Sequence, residues 1–474
     1  MRPFFKHFVL SVLLLTAVPS AGQKLMDVIN KAEKSVFSIE AYNKFNDITD
    51  VASGFFISAD GMAITKASIF YDKDSVAIKI RNGKKFSIEK IISVNPYVNL
   101  ALIKVRQRRQ RAFIYFQISR SALIARSDLL IMSHPAGRDK GITVDQIEKV
   151  GSIPFVGRFG VMPSFPGYKS YGAPVINNRG LLSGIYCSYD GKSKNVIYSH
   201  NMLNDEQWND INTSKISKNE RAILLPYLSM GIVNLISENN VEAAKYFSKY
   251  LKVHPDTYEI YCFRALSRFR YNNTVGARDD LEYAGLLKPG GFFAPYIMAV
   301  HLLETDREEE AFKYLNLTLK RNPGYIPARV EHARLQWKLN NKIREAFNEF
   351  NDIIEEDSLN GRAYYERARL SMQYSSNREM AYEDINRAVY LDPSLPGVFS
   401  LRGVMKLSNN DFLGAIDDFT KAIESDPDDV HAYFNRGIAF FNVGMKRNAC
   451  KDWHKAGDLG NFSAYNYISR YCTK

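Results

Sequence analysis

The sequence predicts a multidomain chain, an all-β double β-barrel followed by an all-α solenoid. Three observations carry that expectation. Small residues recur at a period near 34 between residues 222 and 460, short alternating or apolar runs broken by Gly, Asp and Asn fill residues 34 to 190, and a polar stretch separates the two. With 474 residues, 46% hydrophobic and 24% charged, the chain can build several ordinary cores.

The first element in chain order is residues 1–22. Arg2, Lys6 and His7 precede the apolar run "FVLSVLLLTAV", and the small residues of "PSAG" follow. That order is the layout of a secretory signal peptide cut near Gly22, with an apolar run too short to span a membrane comfortably. It places the mature chain in an exported compartment, the bacterial periplasm or cell envelope, with no transmembrane segment after signal removal. No cysteine stands at the cleavage region, which argues against lipid attachment there.

Residues 23–205 form the β domain. "VFSIEAYN", "ASGFFIS", "MAITKAS", "SVAIKIR", "KFSIEKIISVN" and "LALIKV" supply one group of strands. "ALIARSDLLIMSHPAG", "DKGITVDQIEKVGSI" and "LLSGIYC" continue after the basic run "RQRRQR" at 106–111, so two groups of about six strands make two barrels. The surplus behind the net charge of +12 lies in this domain, and the chain from 206 onward is close to neutral. The basic run reads either as a solvated linker or as a hold on an anionic surface; nucleic acid is not expected for an exported chain. The polar segment 206–221 is the linker to the solenoid.

The repeat is the strongest signal. Gly231, Ala265, Ala299, Ala333, Ala368, Gly403 and Gly437 open the units, and Ala243, Ala277, Ala311, Ala346, Ala381, Ala415 and Ala449 follow. Four residues later stands a large apolar residue, Phe247, Leu281, Leu315, Phe350, Ile385, Phe419 or Trp453. Small residues let two helix backbones approach, the large one fills the gap, and each helical pair buries its face only against the next pair. This pattern resembles the tetratricopeptide repeat (TPR), in seven copies over 222–460 with a capping helix at 461–474. Such an array implies a concave face that binds a protein or peptide partner.

A second regularity runs through the same units. Arg264, Arg367, Arg402 and Arg436 precede the small residue where Asp280, Asp384, Asp418 and Asp452 stand three after the alanine. The spacing predicts structural ion pairs between the two helices of a repeat, worth about 0–1 kcal/mol each if exposed. In the repeat that has Glu349 at the acidic position, His332 is the residue offered opposite. Cys450 and Cys472 would come together if the last helix packs antiparallel, giving either a disulfide or two small buried hydrophobes. Cys187 and Cys262 read as buried thiols, and no CxxC or His/Cys cluster indicates a metal; no cofactor is expected.

Four motifs in order place the β domain. "ASGFFISADGMAITKASIF", "SVNPYVNLALIKV", "LLIMSHPAG" and "SYGAPVINNRGLLSGI" resemble the HtrA/DegP-like branch of trypsin-fold serine proteases over about residues 34–190. The resemblance implies a trypsin-like double barrel, with Gly54, Gly61, Pro174, Gly180 and Gly184 kept as its frame. It also implies that Ser68 stands where the family has its histidine base, Asn99 where it has the orienting aspartate, and Tyr171 where it has the nucleophile. Lys169 replaces the glycine before the nucleophile, so the oxyanion-hole turn departs as well.

Acyl transfer by this route needs an activated oxygen, an imidazole and a carboxylate to orient it. None of the three positions supplies its group. Ser170 is one residue early, and the mature histidines available before the repeats are His134 and His200, neither at the base position. The leading expectation is therefore a pseudoprotease: an exported, non-catalytic scaffold that binds partners through the TPR groove, with the degenerate cleft as a second docking surface. The alternatives are an active serine endopeptidase with an unorthodox site and anionic-surface binding through the basic first domain. No segment resembling a PDZ domain follows the barrel, which leaves the oligomeric state open.

Overall fold

A computed structural model describes residues 21–472 apart from 108–111, 120–122, 134–140, 164–167, 188–194, 201–202, 204–207, 214–224 and 375–376. The segment read as a signal peptide lies outside the described residues up to position 20; Ala21 and Gly22 open helix α1 (Ala21–Ala32). The sequence reading missed this helix. It buries Ile29 and Ala32 in the same core as Val36.

The first barrel comprises β1 (Val36–Tyr42), β2 (Ile48–Phe56), β3 (Met62–Lys66), β4 (Ser75–Ile80), β5 (Lys85–Asn95) and β6 (Leu100–Val105). The order β5-β4-β1-β2-β3-β6 is closed by pairing of β5 with β6. Phe37, Phe56 and Ile103 fill its interior. The second sheet comprises β7 (Asp128–Ser133), β8 (Gly141–Gln146), β9 (Lys149–Ile153), β10 (Gly157–Met162), β11 (Pro174–Ile176), β12 (Leu182–Tyr186) and β13 (Asn195–Ser199). Its order is β8-β7-β11-β12-β13-β10-β9, and among the described residues no pairing joins β8 to β9. A closed barrel is thus followed by a half-barrel.

The linker assigned to 206–221 needs correction. Strand β14 (Asn209–Thr213) pairs antiparallel with β5, so the β domain extends past 205. Its sequence, "NDINT", is too polar to read as a strand; backbone pairing to an edge that β5 leaves open supplies the order that side-chain burial does not.

The solenoid is seven antiparallel helical pairs among the described residues: α2 (Tyr227–Ile236) with α3 (Asn240–Leu251), α4 (Tyr258–Arg270) with α5 (Thr274–Leu287), α6 (Phe293–Glu304) with α7 (Glu308–Arg321), α8 (Ile326–Asn340) with α9 (Ile343–Glu356), α10 (Gly361–Tyr374) with α11 (Arg378–Leu391), α12 (Val398–Ser408) with α13 (Phe412–Ser425), and α14 (Val430–Asn442) with α15 (Lys446–Asp458); α16 (Phe462–Tyr471) follows. The small positions permit close approach. A Cβ on Gly437 would lie 2.5 Å from Trp453 Nε1, and one on Gly403 2.7 Å from the Phe419 ring.

The arginine–aspartate pairs form within each repeat and are buried. Arg264 reaches Asp280 at 2.6 Å, Arg367 reaches Asp384 at 2.7 Å, Arg402 reaches Asp418 at 2.7 Å and Arg436 reaches Asp452 at 2.7 Å. The aspartates are at most 6% exposed. Each arginine also donates from Nη1 to a polar side chain 16 residues earlier, on the preceding repeat: Ser248, Asn351, Asn386 and Thr420. The pair therefore ties repeats together as well as the helices of one repeat, an energy scale unlike the exposed pairs the sequence implied. His332 does not face Glu349 as an ion partner. It stacks on Phe312 and bonds Asn316 Oδ1, while Arg329 takes Glu349.

Cys450 and Cys472 are joined by a disulfide that fastens the end of α16 to α15, whereas Cys187 and Cys262 are buried free thiols. The half-barrel also docks on the solenoid. Phe155, at the tip between β9 and β10 with φ of 64°, sets its ring edge-on against Phe293 at 5.1 Å and Phe263 at 6.3 Å. Such a conformation is strained for a bulky residue and persists where packing over-determines it. Arg158 on β10 donates to the carbonyls of Leu123, Leu359 and Leu391, and Arg126 lies over the ring of Phe399.

Two measurements check this account. Asp418→Ala is expected to lower unfolding free energy by roughly 3 kcal/mol, and a double-mutant cycle with Arg402→Ala to return coupling above about 1 kcal/mol; additive effects would refute the buried pair. Thiol titration in denaturant should find two of the four cysteines reactive, and four after reduction.

Candidate functional site

Ser68, Asn99 and Tyr171, the three positions that the family resemblance sets against a protease triad, come together through the turn that links β5 to β6. Asn99 sits there at φ of 51°, a left-handed conformation that asparagine tolerates. Its Oδ1 accepts the Ser68 amide N–H at 2.8 Å, and its Nδ2 donates to Ser68 Oγ at 2.9 Å. Its carbonyl takes the N–H of Ala67 at 2.9 Å. The Asn99–Ser68 pair is thus a closed exchange in which the amide both holds the backbone of the short 3₁₀ turn at Ala67–Phe70 and bonds the hydroxyl.

Tyr171 closes the site from the other sheet. Its side chain is 2% exposed, and its hydroxyl donates to the carbonyl of Val98 at 2.7 Å, one residue before Asn99. The ring packs in a core that includes Val98, Leu130, Ile185 and Cys187. A phenol that buries its ring and bonds a main-chain carbonyl is a packing group, and its length fills the space between the two sheets.

The loop carrying Tyr171 hangs on the first barrel by its backbone. Ser53 on β2 donates its amide to the Tyr171 carbonyl at 3.1 Å and its hydroxyl to the Lys169 carbonyl at 2.9 Å. The following Gly172 has φ of 82°, and a Cβ there would lie 2.7 Å from the Ser53 carbonyl oxygen. Only glycine passes so close with that backbone.

Other candidate groups fall elsewhere. Ser170 is buried at 2% exposure in the 3₁₀ turn before Tyr171. His200 is buried and its Nδ1 bonds the Ser183 carbonyl at 3.1 Å. His134 lies outside the described residues, as does most of the basic run 106–111. Cys187, a nucleophile type the sequence reading left aside, lies near the Tyr171 hydroxyl, but burial pushes its thiol up, away from the reactive thiolate. Among the described residues no group of three or more His, Cys, Asp or Glu is placed to hold a metal ion, and no helix is long and apolar enough to cross a membrane.

A second site lies where the half-barrel meets the repeats. Burial lowers the guanidinium of Arg158 from its usual range, and burial raises the carboxyl of Asp392 although Arg158 is near. No sequence signal marked Arg158 or Phe155, because the solenoid residues they meet are between about 100 and 230 positions away.

Comparison with known proteins agrees with these two halves. Residues 52–185 match the trypsin-like peptidase domain, and residues 402–444 match the tetratricopeptide repeat. Tetratricopeptide repeat protein 6 of Homo sapiens is 25% identical over 236 residues, 49% of this chain and 38% of that protein. The probable periplasmic serine endoprotease DegP-like of Bartonella henselae is 30% identical over 90 residues, 19% of this chain and 18% of that protein. Serine protease HTRA1A of Danio rerio is 31% identical over 86 residues, 17% and 18% of the respective chains. The chain spans less than two fifths of the length of each of these relatives. It carries a trypsin-like peptidase domain homologous to the HtrA proteases, followed by a tetratricopeptide-repeat array.

Proposed function

We propose that this chain is a non-catalytic, exported interaction protein whose protease-like domain is a structural and docking module and whose repeats bind a protein or peptide. The observation that carries this reading is the state of Tyr171: its ring is core and its hydroxyl is committed to Val98. Hydrolysis of an amide needs a nucleophile whose proton can be taken by a neighbouring base. At the aligned positions Ser68 and Asn99 bond one another, and neither is a base near neutral pH. The frame endures because the fold and the site it once served are separable.

Export is supported by the charged, apolar and small-residue order of residues 1–22 and by the Cys450–Cys472 disulfide, which suits an oxidising compartment. Partner binding is supported by the repeats, since stacked helical pairs present an extended face.

A serine-reactive fluorophosphonate probe tests the reading on the full chain. No labelling is expected; specific labelling of the native protein, abolished by Ser170→Ala, would overturn it. Tyr171 gives a second test. Tyr171→Phe keeps the ring and is expected to lose about 1 kcal/mol of stability, whereas Tyr171→Ser, which restores the family's residue type, should lose roughly 3–5 kcal/mol and generate no peptidase activity.

A further inference from the structure

β9 is the open edge of the half-barrel: among the described residues it pairs with β10 and with no other strand. It does not face bulk solvent alone. Between it and the first helices of repeats one to three lies a cavity of about 590 Å³, lined on one side by Gly151 and Ser152 of β9 and on the other by Leu235 of α2, Leu266 of α4, and Tyr296 and Ile297 of α6. That volume lies within the roughly 300–1,000 Å³ of ligand sites.

The two walls ask for different things. An unpaired strand edge offers main-chain N–H and C=O groups in alternation, which another extended backbone satisfies. The helical wall is apolar and takes side chains. Charge plays a smaller part: the charged residues lining the cavity include Lys149 with Glu238 at 3.8 Å and Arg270 with Glu304 at 2.9 Å, already paired within the chain. The cavity is continuous with the intramolecular interface, where Phe155 on the β9–β10 turn already seats an aromatic ring against Phe263 and Phe293. The same helices therefore accept a side chain delivered by a β-strand in cis.

We propose that this cleft binds an extended segment of a partner protein, which adds to β9 as a further strand and lays alternate apolar side chains on α2, α4 and α6. This rests on the reading of the repeats as a protein-binding array and makes it specific: the receptor is composite, half strand edge and half helix face, and the isolated solenoid would lack one wall. A strand with every second side chain apolar fits, because side chains alternate across a strand with period two.

The test uses the full chain and a fluorescein-labelled peptide in which leucine alternates with serine, kept soluble by a terminal lysine. Fluorescence anisotropy is expected to show saturable binding, weakened about tenfold or more when alternate backbone nitrogens of the peptide are methylated, since each lost hydrogen bond is worth about 1 kcal/mol. Leu266→Arg, which puts a cation on the apolar wall, should weaken the parent peptide comparably while leaving the circular dichroism spectrum unchanged. Absence of binding, equal binding of the methylated peptide by wild type, or equal binding by a folded Leu266→Arg variant would each overturn the proposal. So would concentration-dependent self-association lost in Leu266→Arg, which would make a second copy the occupant. None of these results bears on fluorophosphonate labelling, so the cleft can fail while the non-catalytic reading stands.

Discussion

The hydroxyl of Tyr171 meets the carbonyl of Val98 inside a core to which both β units contribute, and the neighbouring backbone is pinned to Ser53 on the first barrel. Much else follows from that join. The loop at 169–172 has to pass over β2 at a distance only Gly172 tolerates, and the turn at Val98–Asn99 has to present its carbonyl inward while Asn99 holds the 3₁₀ turn that carries Ser68. A side chain that reaches across the gap between two sheets brings apolar area as well as one hydrogen bond, and the area is the larger contribution. Between the two sheets this arrangement orients a packing contact.

The solenoid obeys a different constraint. In the three repeats that open on glycine the small residue lies directly against the large one, Gly231 on Phe247, Gly403 on Phe419 and Gly437 on Trp453, and four of the seven repeats add a buried arginine–aspartate pair. A buried pair gives little net stability compared with apolar residues of the same volume, yet breaking one partner is severe. Its value here lies in geometry. Because the guanidinium is a rigid fork, an arginine that bonds an aspartate of its own repeat and a polar group of the preceding one admits few relative placements of the two. Lys406 on Asp418 and Arg268 on Asp280 complete the neutralisation.

The contact between the two halves uses both kinds of chemistry. Phe155 brings aromatic area to repeats two and three, and Arg158 brings donors to the carbonyl of Leu359, in the turn between α9 and α10, and to that of Leu391, the last residue of α11, where a helix leaves its carbonyls unsatisfied. A desolvated guanidinium answered by several carbonyls and approached by Asp357 and Asp392 is a directional fastening, while the aromatic cluster is a broad one. Together they hold the half-barrel over the helices, and the cavity beside β9 exists because the two surfaces meet at these anchors and not between them.

Much of this was legible in the residues alone, and the reason is locality. A period near 34 repeats its own contacts, so the phase of the small and large positions, the partners of Arg264, Arg367, Arg402 and Arg436, and the approach of Cys450 to Cys472 all follow from spacing within about 22 residues or less. The strands of the first barrel were similarly visible through alternation. What lacked any such signal was nonlocal: β14 is ordered by an edge that β5 leaves open, the arginines' second bonds cross to a neighbouring repeat, His332 yields Glu349 to Arg329, and Phe155 and Arg158 find partners more than 100 residues away. Composition sets which groups can be buried, but only the tertiary fold chooses which distant groups they are buried against, because that choice depends on how whole surfaces fit and not on the order of neighbours along the chain.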